Sequence, residues 1–251
     1  MIKTLCAAAF LSFAVMTAST NAQQIFQESF ESAPGSSYVL TTAFDDGGFD
    51  YFGQFAVPDN TNGARDDFQT GWDGAFGIHS QDNDGEGGSP VGTVSIPNIN
   101  IAGFTNLSTT VSLGAIASEA IGFDNFEAAD GDGIVITASI DGGAATTIAQ
   151  FSPPAVGAGA NTPGAGDLFL DPDFDGVGTG LALSTDLADF TFAIAGTGSV
   201  LDLNIELTST GGFEPLALDN VRVFATAIPE PSSAAVVGLL GLAGVCRRRR
   251  S

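Results

Sequence analysis

Apolar and polar residues alternate along several stretches of the chain. Residues 134–141, 190–194 and 201–208 each carry an apolar side chain at every second position. Successive side chains of a β-strand point to opposite faces, so this period of two predicts strands with one buried and one wetter face. Shorter apolar runs predict further strands at residues 25–31, 38–44, 51–56, 75–80, 92–96, 107–113, 145–151 and 216–224.

The residues between these runs are typical of turns. Asp141-Gly142-Gly143 predicts a tight hairpin, and residues 151–167 form a long loop rich in Pro, Gly and Ala. No body segment shows a sustained period of 3.6 residues, and residues 112–125 hold one turn of helix at most. The sequence therefore predicts an all-β fold, an antiparallel β-sandwich of the jelly-roll type, similar to concanavalin-like and galactose-binding-like domains.

The first 22 residues are typical of a secretory signal peptide. Lys3 supplies the positive start, residues 5–18 are mostly apolar, and the small residues Thr20 and Ala22 precede a cleavage site before Gln23. A permanent anchor is the alternative, but a spanning helix needs roughly 20 apolar residues. We therefore expect a signal peptide over residues 1–22 and a single sandwich domain over residues 23–227.

The predicted domain is strongly acidic. It has no lysine. Its two basic residues are Arg65 and Arg222, and it has 28 acidic residues, so its net charge is −26. Such a surface repels nucleic acid and anionic lipid and favours multivalent cations. The chain is 44% hydrophobic, so it can bury a core and is not expected to be disordered. Both cysteines lie in the terminal segments, which excludes disulfides and thiolate metal sites within the domain.

The C-terminal residues 228–251 divide into three parts. Two prolines stop the preceding strand, and the 13 apolar residues 234–246 would span about 20 Å as a helix, less than the ~30 Å hydrocarbon core of a bilayer. A terminal basic block would hold the chain end on the cytoplasmic side. The short motif is Pro229, Glu230 and Pro231, and the basic block is Arg247, Arg248, Arg249 and Arg250.

This order of motif, apolar span and arginine block resembles the PEP-CTERM sorting tail of Gram-negative-type bacteria. The resemblance implies transient membrane insertion of a hydrophobic C-terminal helix and cleavage near Pro229-Glu230-Pro231 by an exosortase-type sorting protease. It also implies transfer of the domain to the cell envelope or the exopolysaccharide. A simple C-terminal membrane anchor is the alternative.

Three short stretches concentrate carboxylates among glycines: residues 82–86, 130–133 and 171–176. Calcium takes six to eight oxygen ligands, and alternate residues of a tight loop can aim theirs at one point. The spacing of Asp171, Asp173 and Asp175 matches the front half of such a loop. Ala182 stands where an EF-hand carries its closing Glu, so an EF-hand is excluded. A solvated acidic turn is the alternative at each stretch.

The ends of the domain are similar to those of extracellular jelly-roll modules, several of them carbohydrate-binding. Residues 26–31 (FQESFE) and 218–223 (LDNVRV) carry the resemblance. It implies that the first and last strands are neighbours and that a structural calcium ion sits between Glu28 or Glu31 and Asp219. The apolar parity changes across Asp219, which predicts a β-bulge that re-aims its side chain. The alternative is that Asp219 or Asn220 bonds only to turn backbone.

One set of aromatic residues suggests sugar binding, and one row of polar residues suggests glycosidic cleavage. Trp72, with Phe68, Phe76, Tyr51 and Phe52 nearby, is a candidate sugar-stacking platform, although most aromatic residues of this chain are expected in the core. Asp202, Asn204 and Glu206 resemble the carboxylate row of jelly-roll glycosidases. The outer two lie ~13 Å apart along a strand, and glycosidic cleavage needs carboxyl groups ~5–9.5 Å apart, so a polar outer face is the better interpretation.

The sequence favours a non-enzymatic role. His79 is the only histidine and no nucleophile motif accompanies it, so a structural role is expected for it. We expect an exported structural or adhesive protein of the cell envelope or extracellular matrix, associated with exopolysaccharide. A calcium-stabilised carbohydrate-binding module is the alternative, and a glycoside hydrolase is disfavoured. Calcium is the one cofactor expected, and extracellular polysaccharide is a possible partner.

Overall fold

Thirteen strands form two antiparallel sheets in the computed structural model, which describes residues 21–46, 48, 50–57, 69–84, 89–115, 126, 131–155, 167–211 and 214–229. No α-helix occurs within these ranges. The strands are β1 (Ala22–Glu28), β2 (Val39–Thr41), β3 (Phe44–Asp45), β4 (Tyr51–Ala56), β5 (Phe76–Gln81), β6 (Val91–Asn100), β7 (Phe104–Ala115), β8 (Gly133–Ile140), β9 (Thr146–Ser152), β10 (Phe169–Leu170), β11 (Ala188–Ile194), β12 (Val200–Thr208) and β13 (Leu216–Ala227).

Six strands of the seven-stranded sheet have the order β11-β7-β13-β5-β4-β3, and its seventh strand, β1, pairs with β13. The six-stranded sheet has the order β10-β9-β8-β12-β6-β2. One edge of β13 pairs with β7 along most of its length. Its other edge is shared, because β5 pairs with residues 216–218 and β1 pairs with residues 221–226. The first and last strands are therefore neighbours, as the resemblance implied.

The core lies between the inner faces of the two sheets. Along β12, Leu201, Leu203, Ile205 and Leu207 are buried while the residues between them are partly exposed, as the alternation predicted. Ile134, Ile136 and Ala138 are likewise buried on β8, where Val135, Thr137 and Ser139 are partly exposed. Burial of each such side chain stabilises the fold by about 1.5–3 kcal/mol, so these strands hold the two sheets together.

The connection between β8 and β9 is the tight turn that the sequence predicted. Asp141 and Gly142 both have positive φ, 51° and 69°, as a type I′ hairpin turn requires, and the Gly143 amide donates to the Ile140 carbonyl over 2.9 Å. The Asp141 carboxylate also accepts the amides of Ser199 and Val200, each at 2.9 Å. The hairpin is thus fixed to the start of β12.

One strand prediction was wrong, and one short strand was not predicted. Residues 38–44 were expected to form one strand but contribute to both sheets, because β2 pairs with β6 and β3 pairs with β4. The chain changes sheets at Thr42, whose φ of 66° breaks the extended backbone. Phe169 and Leu170 form the edge strand β10, which no sequence pattern predicted.

Other predictions extend beyond the described ranges. The first part of residues 112–125 is the end of β7, not a turn of helix, and residues 116–125 lie outside the description. The proposed signal peptide (except Asn21 and Ala22) and C-terminal hydrophobic helix also lie outside it. The described residues contain no helix long and apolar enough to cross a membrane. Ala22–Ala227 form one compact unit.

Candidate functional site

A β-bulge in β13 directs Asp219 toward the segment that precedes β5. The register between β13 and β7 shifts between Asp219 and Arg222, and Asn220 has a φ of 46°. The Asp219 side chain is fully buried. Its Oδ2 accepts the amide of Asp73 at 2.7 Å and its Oδ1 accepts the amide of Asn220 at 2.7 Å. The predicted bulge is confirmed, and it turns a carboxylate into a buried position.

Glu31 holds the same segment from the end of β1. Its Oε1 accepts the amides of Ala75, at 2.9 Å, and Phe76, at 3.1 Å. Gly74 lies between these contacts with a φ of 113°, and a Cβ at this position would come within 2.2 Å of Glu31 Oε1. A glycine is therefore required where Glu31 meets the chain. Together Glu31 and Asp219 accept three amides, those of Asp73, Ala75 and Phe76, from one four-residue segment.

The electrostatics of this junction are unfavourable for Asp219. The pKa of Asp219 is raised to about 7, chiefly by burial and also by the nearby charges of Asp73 and Glu31, while the two amide hydrogen bonds oppose the rise. The described basic side chain Arg222 is engaged elsewhere, in an ion pair with Asp189 at 2.5 Å. A buried carboxylate next to two others, without a basic partner among the described residues, is an environment that a calcium ion would relieve.

Glu28 has a different neighbourhood. It is buried, its Oε1 accepts the Phe30 amide at 2.7 Å, and its Oε2 accepts the hydroxyl of Ser37. Glu28 therefore closes the loop that follows β1 and does not bind the segment held by Glu31 and Asp219. Of the three residues that the resemblance implied, the structure brings Glu31 and Asp219 to one segment and turns Glu28 into the adjacent loop.

Asp171, Asp173 and Asp175 form the one group of three carboxylates in the described ranges whose oxygens all lie within 4.8 Å of one another. Asp171 is buried and already accepts the amides of Phe174, at 2.9 Å, and Gly176, at 2.8 Å. Asp173 and Asp175 are exposed, and the charge of Asp175 is the main cause that raises the pKa of Asp173. The spacing fits a cation, but the buried member already organises the turn.

The other two acidic stretches have internal partners. Asn83 is buried and donates to the Leu207 carbonyl over 2.7 Å. Asp82 beside it has its pKa raised to about 7, first by burial and then by contacts with Asp84 and Asp50. Asp132 accepts both the amide and the hydroxyl of one residue, Thr210, at 3.0 and 2.9 Å. Asn83 and Asp132 thus fasten these loops to the end of β12.

Trp72 covers the outer face of the seven-stranded sheet. Its ring stacks on the buried His79 with centroids 4.5 Å apart and an interplanar angle of 20°, and its Nε1 donates to the Gln69 carbonyl over 3.1 Å. A Cβ on Gly77 would lie 2.2 Å from the same ring. Tyr51 and Phe52 are buried, so they do not assemble with Trp72 into the predicted platform, and Phe68 lies outside the described residues.

Trp72→Ala is expected to lower the free energy of unfolding by about 2–3 kcal/mol, because it uncovers His79 and leaves the space above Gly77 empty. The matched control is Phe76→Ala, an exposed aromatic on the same sheet, which we expect to cost less than about 1 kcal/mol. Urea denaturation of the mature protein measures both. If both substitutions have equally small effects, the stacking of Trp72 on His79 does not stabilise the fold, and Trp72 is again a candidate for ligand binding.

The carboxylate row on β12 is held by its neighbour strand. Asp202 Oδ1 accepts the amide of Asn98 at 2.8 Å, and Asn204 Oδ1 accepts the hydroxyl of Ser95 at 2.6 Å. Both contacts join β12 to β6 on the outer face of the six-stranded sheet. They account for these two side chains without catalysis.

A cavity of about 540 Å³ that no sequence signal indicated lies where β9 and β11 approach each other. Its floor includes Ile140, Ile148 and Ile194, and the exposed ring of Phe174 stands at its side. Phe174 is one of 20 phenylalanines, so composition gave no reason to separate it from the core residues. It is the one aromatic residue among the described residues that line this cavity.

The sorting motif lies at the end of the described residues. Pro229 is exposed and follows β13, which ends at Ala227. Glu230, Pro231 and the four arginines from Arg247 to Arg250 lie outside the description. Their sorting role stays a prediction.

Comparison with known proteins gives similarity at the level of solved structures. No family model matches the chain, and no curated protein sequence matches it. The chain is similar to the CBM22-1 xylan-binding domain of Paenibacillus barcinonensis Xyn10C, at 10% identity and a TM-score of 0.40 over 84% of this chain and 99% of that one.

Two further solved structures have comparable scores. One is the K1 cleaved adhesin domain of Lys-gingipain from Porphyromonas gingivalis W83, at 14% identity and a TM-score of 0.38 over 81% and 97% of the two chains. The other is a cyclase from Fischerella sp. TAU, at 14% identity and a TM-score of 0.44 over 83% and 100%. At such identities and scores these similarities assign neither a ligand nor an activity to this chain.

Proposed function

We propose that this chain is an exported structural or adhesive protein of the cell envelope or extracellular matrix, built on a sandwich of the jelly-roll type. The predicted signal peptide and the PEP-CTERM-like tail support export and sorting. The net charge of −26 on residues 23–228 supports a role that involves multivalent cations and a polymer matrix. The protein acts by binding and assembly, without catalysis.

The observation that carries this proposal is the position of the two ends of the sandwich. β1 begins at Ala22 and pairs with Thr226 near the end of β13. The chain therefore enters and leaves the sandwich side by side, at the boundaries where the sequence predicts the two address segments. Cleavage before Gln23 removes one residue of β1, and cleavage near Pro229 breaks no strand. A folded domain can thus be released from both segments intact.

Calcium is proposed to stabilise the domain at the junction of β1 and β13. Glu31 and Asp219 would supply carboxylate oxygens there, with Asp73 beside them. The Asp171, Asp173 and Asp175 loop is a second candidate, supported by the mutual distances of its oxygens. A calcium ion at either place would neutralise charge that the protein itself does not compensate.

The alternative is a carbohydrate-binding module, and the cavity beside Phe174 is the observation that favours it. The platform around Trp72 gives it less support, because one face of that ring is covered by His79. A glycoside hydrolase has the least support, since Asp202 and Asn204 are engaged in strand-to-strand hydrogen bonds.

The intact mass and location of the mature protein test the export proposal. We expect a protein that lacks residues 1–22 and the tail beyond the Pro229–Pro231 region, found outside the inner membrane. Glu230→Gln should leave the tail uncut and the protein in the membrane fraction. The matched control is Glu206→Gln, the same change on β12, which should be processed normally. A full-length wild-type protein in the cytosol would contradict the proposal.

A further inference from the structure

The cavity between β9 and β11 has the properties of a small-molecule site. Its volume of about 540 Å³ falls within the usual range of about 300–1,000 Å³. Apolar residues from both sheets form the floor, and Thr146, Thr147 and Thr197, which carry hydroxyl groups, belong to its lining. Such a combination of apolar surface and a few polar groups suits a ligand that has both a carbon–hydrogen face and hydroxyl groups.

Phe174 lines this cavity with an exposed side chain and a strained backbone. Its side chain is 45% exposed, whereas the aromatic residues of the described ranges, apart from Phe76, are buried or half-buried. Its backbone has a φ of 60°, in the left-handed region that bulky residues avoid. A non-glycine residue held in such a conformation is strained, and strain of this kind is often kept where a side chain must be placed for function.

A buried carboxylate fixes that conformation. Asp171 accepts the Phe174 amide at 2.9 Å and the Gly176 amide at 2.8 Å, one on each oxygen. The turn therefore cannot relax without breaking two hydrogen bonds to a charged group. The acidic motif that the sequence offered as a calcium loop has at least this second role, which is to position an exposed aromatic ring.

The charge of the cavity restricts the ligand. Asp141 is the only charged residue among the described residues that line it, and Asp173 and Asp175 flank Phe174 in sequence. Anions are repelled by these carboxylates and by the net charge of the domain. The threonine hydroxyls in turn disfavour a purely apolar ligand, which would leave them without partners.

We propose that this cavity binds one or two units of a neutral polysaccharide, with a sugar ring stacked on Phe174. The inference rests on the extracellular role proposed above and names the ligand class and its site. The aromatic ring supplies the flat apolar surface, and the threonines and Asp141 supply hydrogen bonds to sugar hydroxyls.

Affinity electrophoresis of the mature protein in gels that contain mixed-linkage β-glucan, arabinoxylan or galactomannan tests the site. The wild type should be retarded by at least one of them. Phe174→Ala should weaken that interaction about ten-fold or more, and Phe174→Tyr should keep it. The matched control is Leu181→Ala, which removes an apolar side chain that is 71% exposed and does not line the cavity. It should behave as the wild type.

Phe174→Gly separates a binding role from a structural one. Glycine relieves the positive φ, so its thermal midpoint should equal or exceed that of Phe174→Ala while retardation stays lost. The inference is overturned if no neutral polysaccharide retards the wild type, or if Phe174→Ala is retarded equally. Export and the calcium response at the β1–β13 junction do not involve Phe174, so a failure here leaves those results, and the proposed function, to be judged separately.

Discussion

Gly133→Ala is expected to destabilise the domain by about 3 kcal/mol or more, roughly 6–12 °C in the thermal midpoint of a domain of this size. Gly133 begins β8 with a φ of 151°, and a Cβ there would come within 2.4 Å of the Phe151 carbonyl oxygen. That oxygen belongs to the backbone of β9, so it cannot turn away as a side chain does. The two strands must separate, and they form one wall of the cavity beside Phe174.

Gly131→Ala is the matched control for this change. Gly131 lies two residues earlier with a φ of 83°, and nothing lies within 4 Å of the position that its Cβ would occupy. We expect the ordinary cost of a left-handed alanine, about 1–2 kcal/mol. Thermal denaturation of both variants gives the difference, which isolates the contact with β9. If the two variants lose the same stability, the close approach of β8 and β9 does not require glycine.

The strands that the sequence predicted best have one dry and one wet face. On β12 and β8 the outer residues remain partly exposed, so the pattern of burial reproduces the pattern of hydrophobicity. The start of β13 and most of β5 differ, because they are buried on both faces. The segment that contains Trp72 covers them from outside. Polar residues such as His79 and Gln81 are therefore buried although no local pattern indicates it.

The candidate site was predictable as a set of acidic residues but not as a geometry. The resemblance of the domain ends implied Glu28, Glu31 and Asp219, and the spacing of carboxylates pointed to the 171–175 loop. Which of them meet depends on long-range pairing: Asp219 contacts Asp73, 146 residues away, whereas Glu28 bonds within its own loop. The role of Phe174 depends on a cavity between strands from both sheets. The sequence of the 171–176 loop alone does not indicate this cavity, because residues of both sheets form it.

The stability of the calcium-free protein is expected to fall as the pH rises from about 4 to about 7. In the folded state the pKa of Asp219 is raised from 3.8 to about 7, chiefly by burial, so the folded protein holds this proton more tightly than the unfolded chain does. The stabilisation is complete below pH 4 and is lost as Asp219 ionises. A shift of this size corresponds to on the order of 2–4 kcal/mol. Asp219→Asn should reduce this slope, and the slope that remains is expected from Asp82, whose pKa is also raised to about 7.

Calcium should oppose that loss, because it binds the ionised carboxylate and competes with the proton. We expect millimolar calcium to raise the thermal midpoint at pH 8 by several degrees, and much less at pH 5, where Asp219 is protonated. Asp219→Asn should abolish the calcium response. The control Asp202→Asn removes the same charge from β12, where Asn98 can still donate to the remaining oxygen, and should keep it.

Asp173→Asn distinguishes the two candidate calcium sites. Asp173 is exposed and belongs to the 171–175 loop, so its loss should leave the response at the β1–β13 junction unchanged. If Asp173→Asn removes the calcium response and Asp219→Asn does not, the ion binds at the loop that positions Phe174. In that case Asp219 would be ionised and buried at pH 8 in the wild type without a bound cation. An unchanged midpoint of the wild type at pH 8 would exclude a stabilising calcium ion at either place.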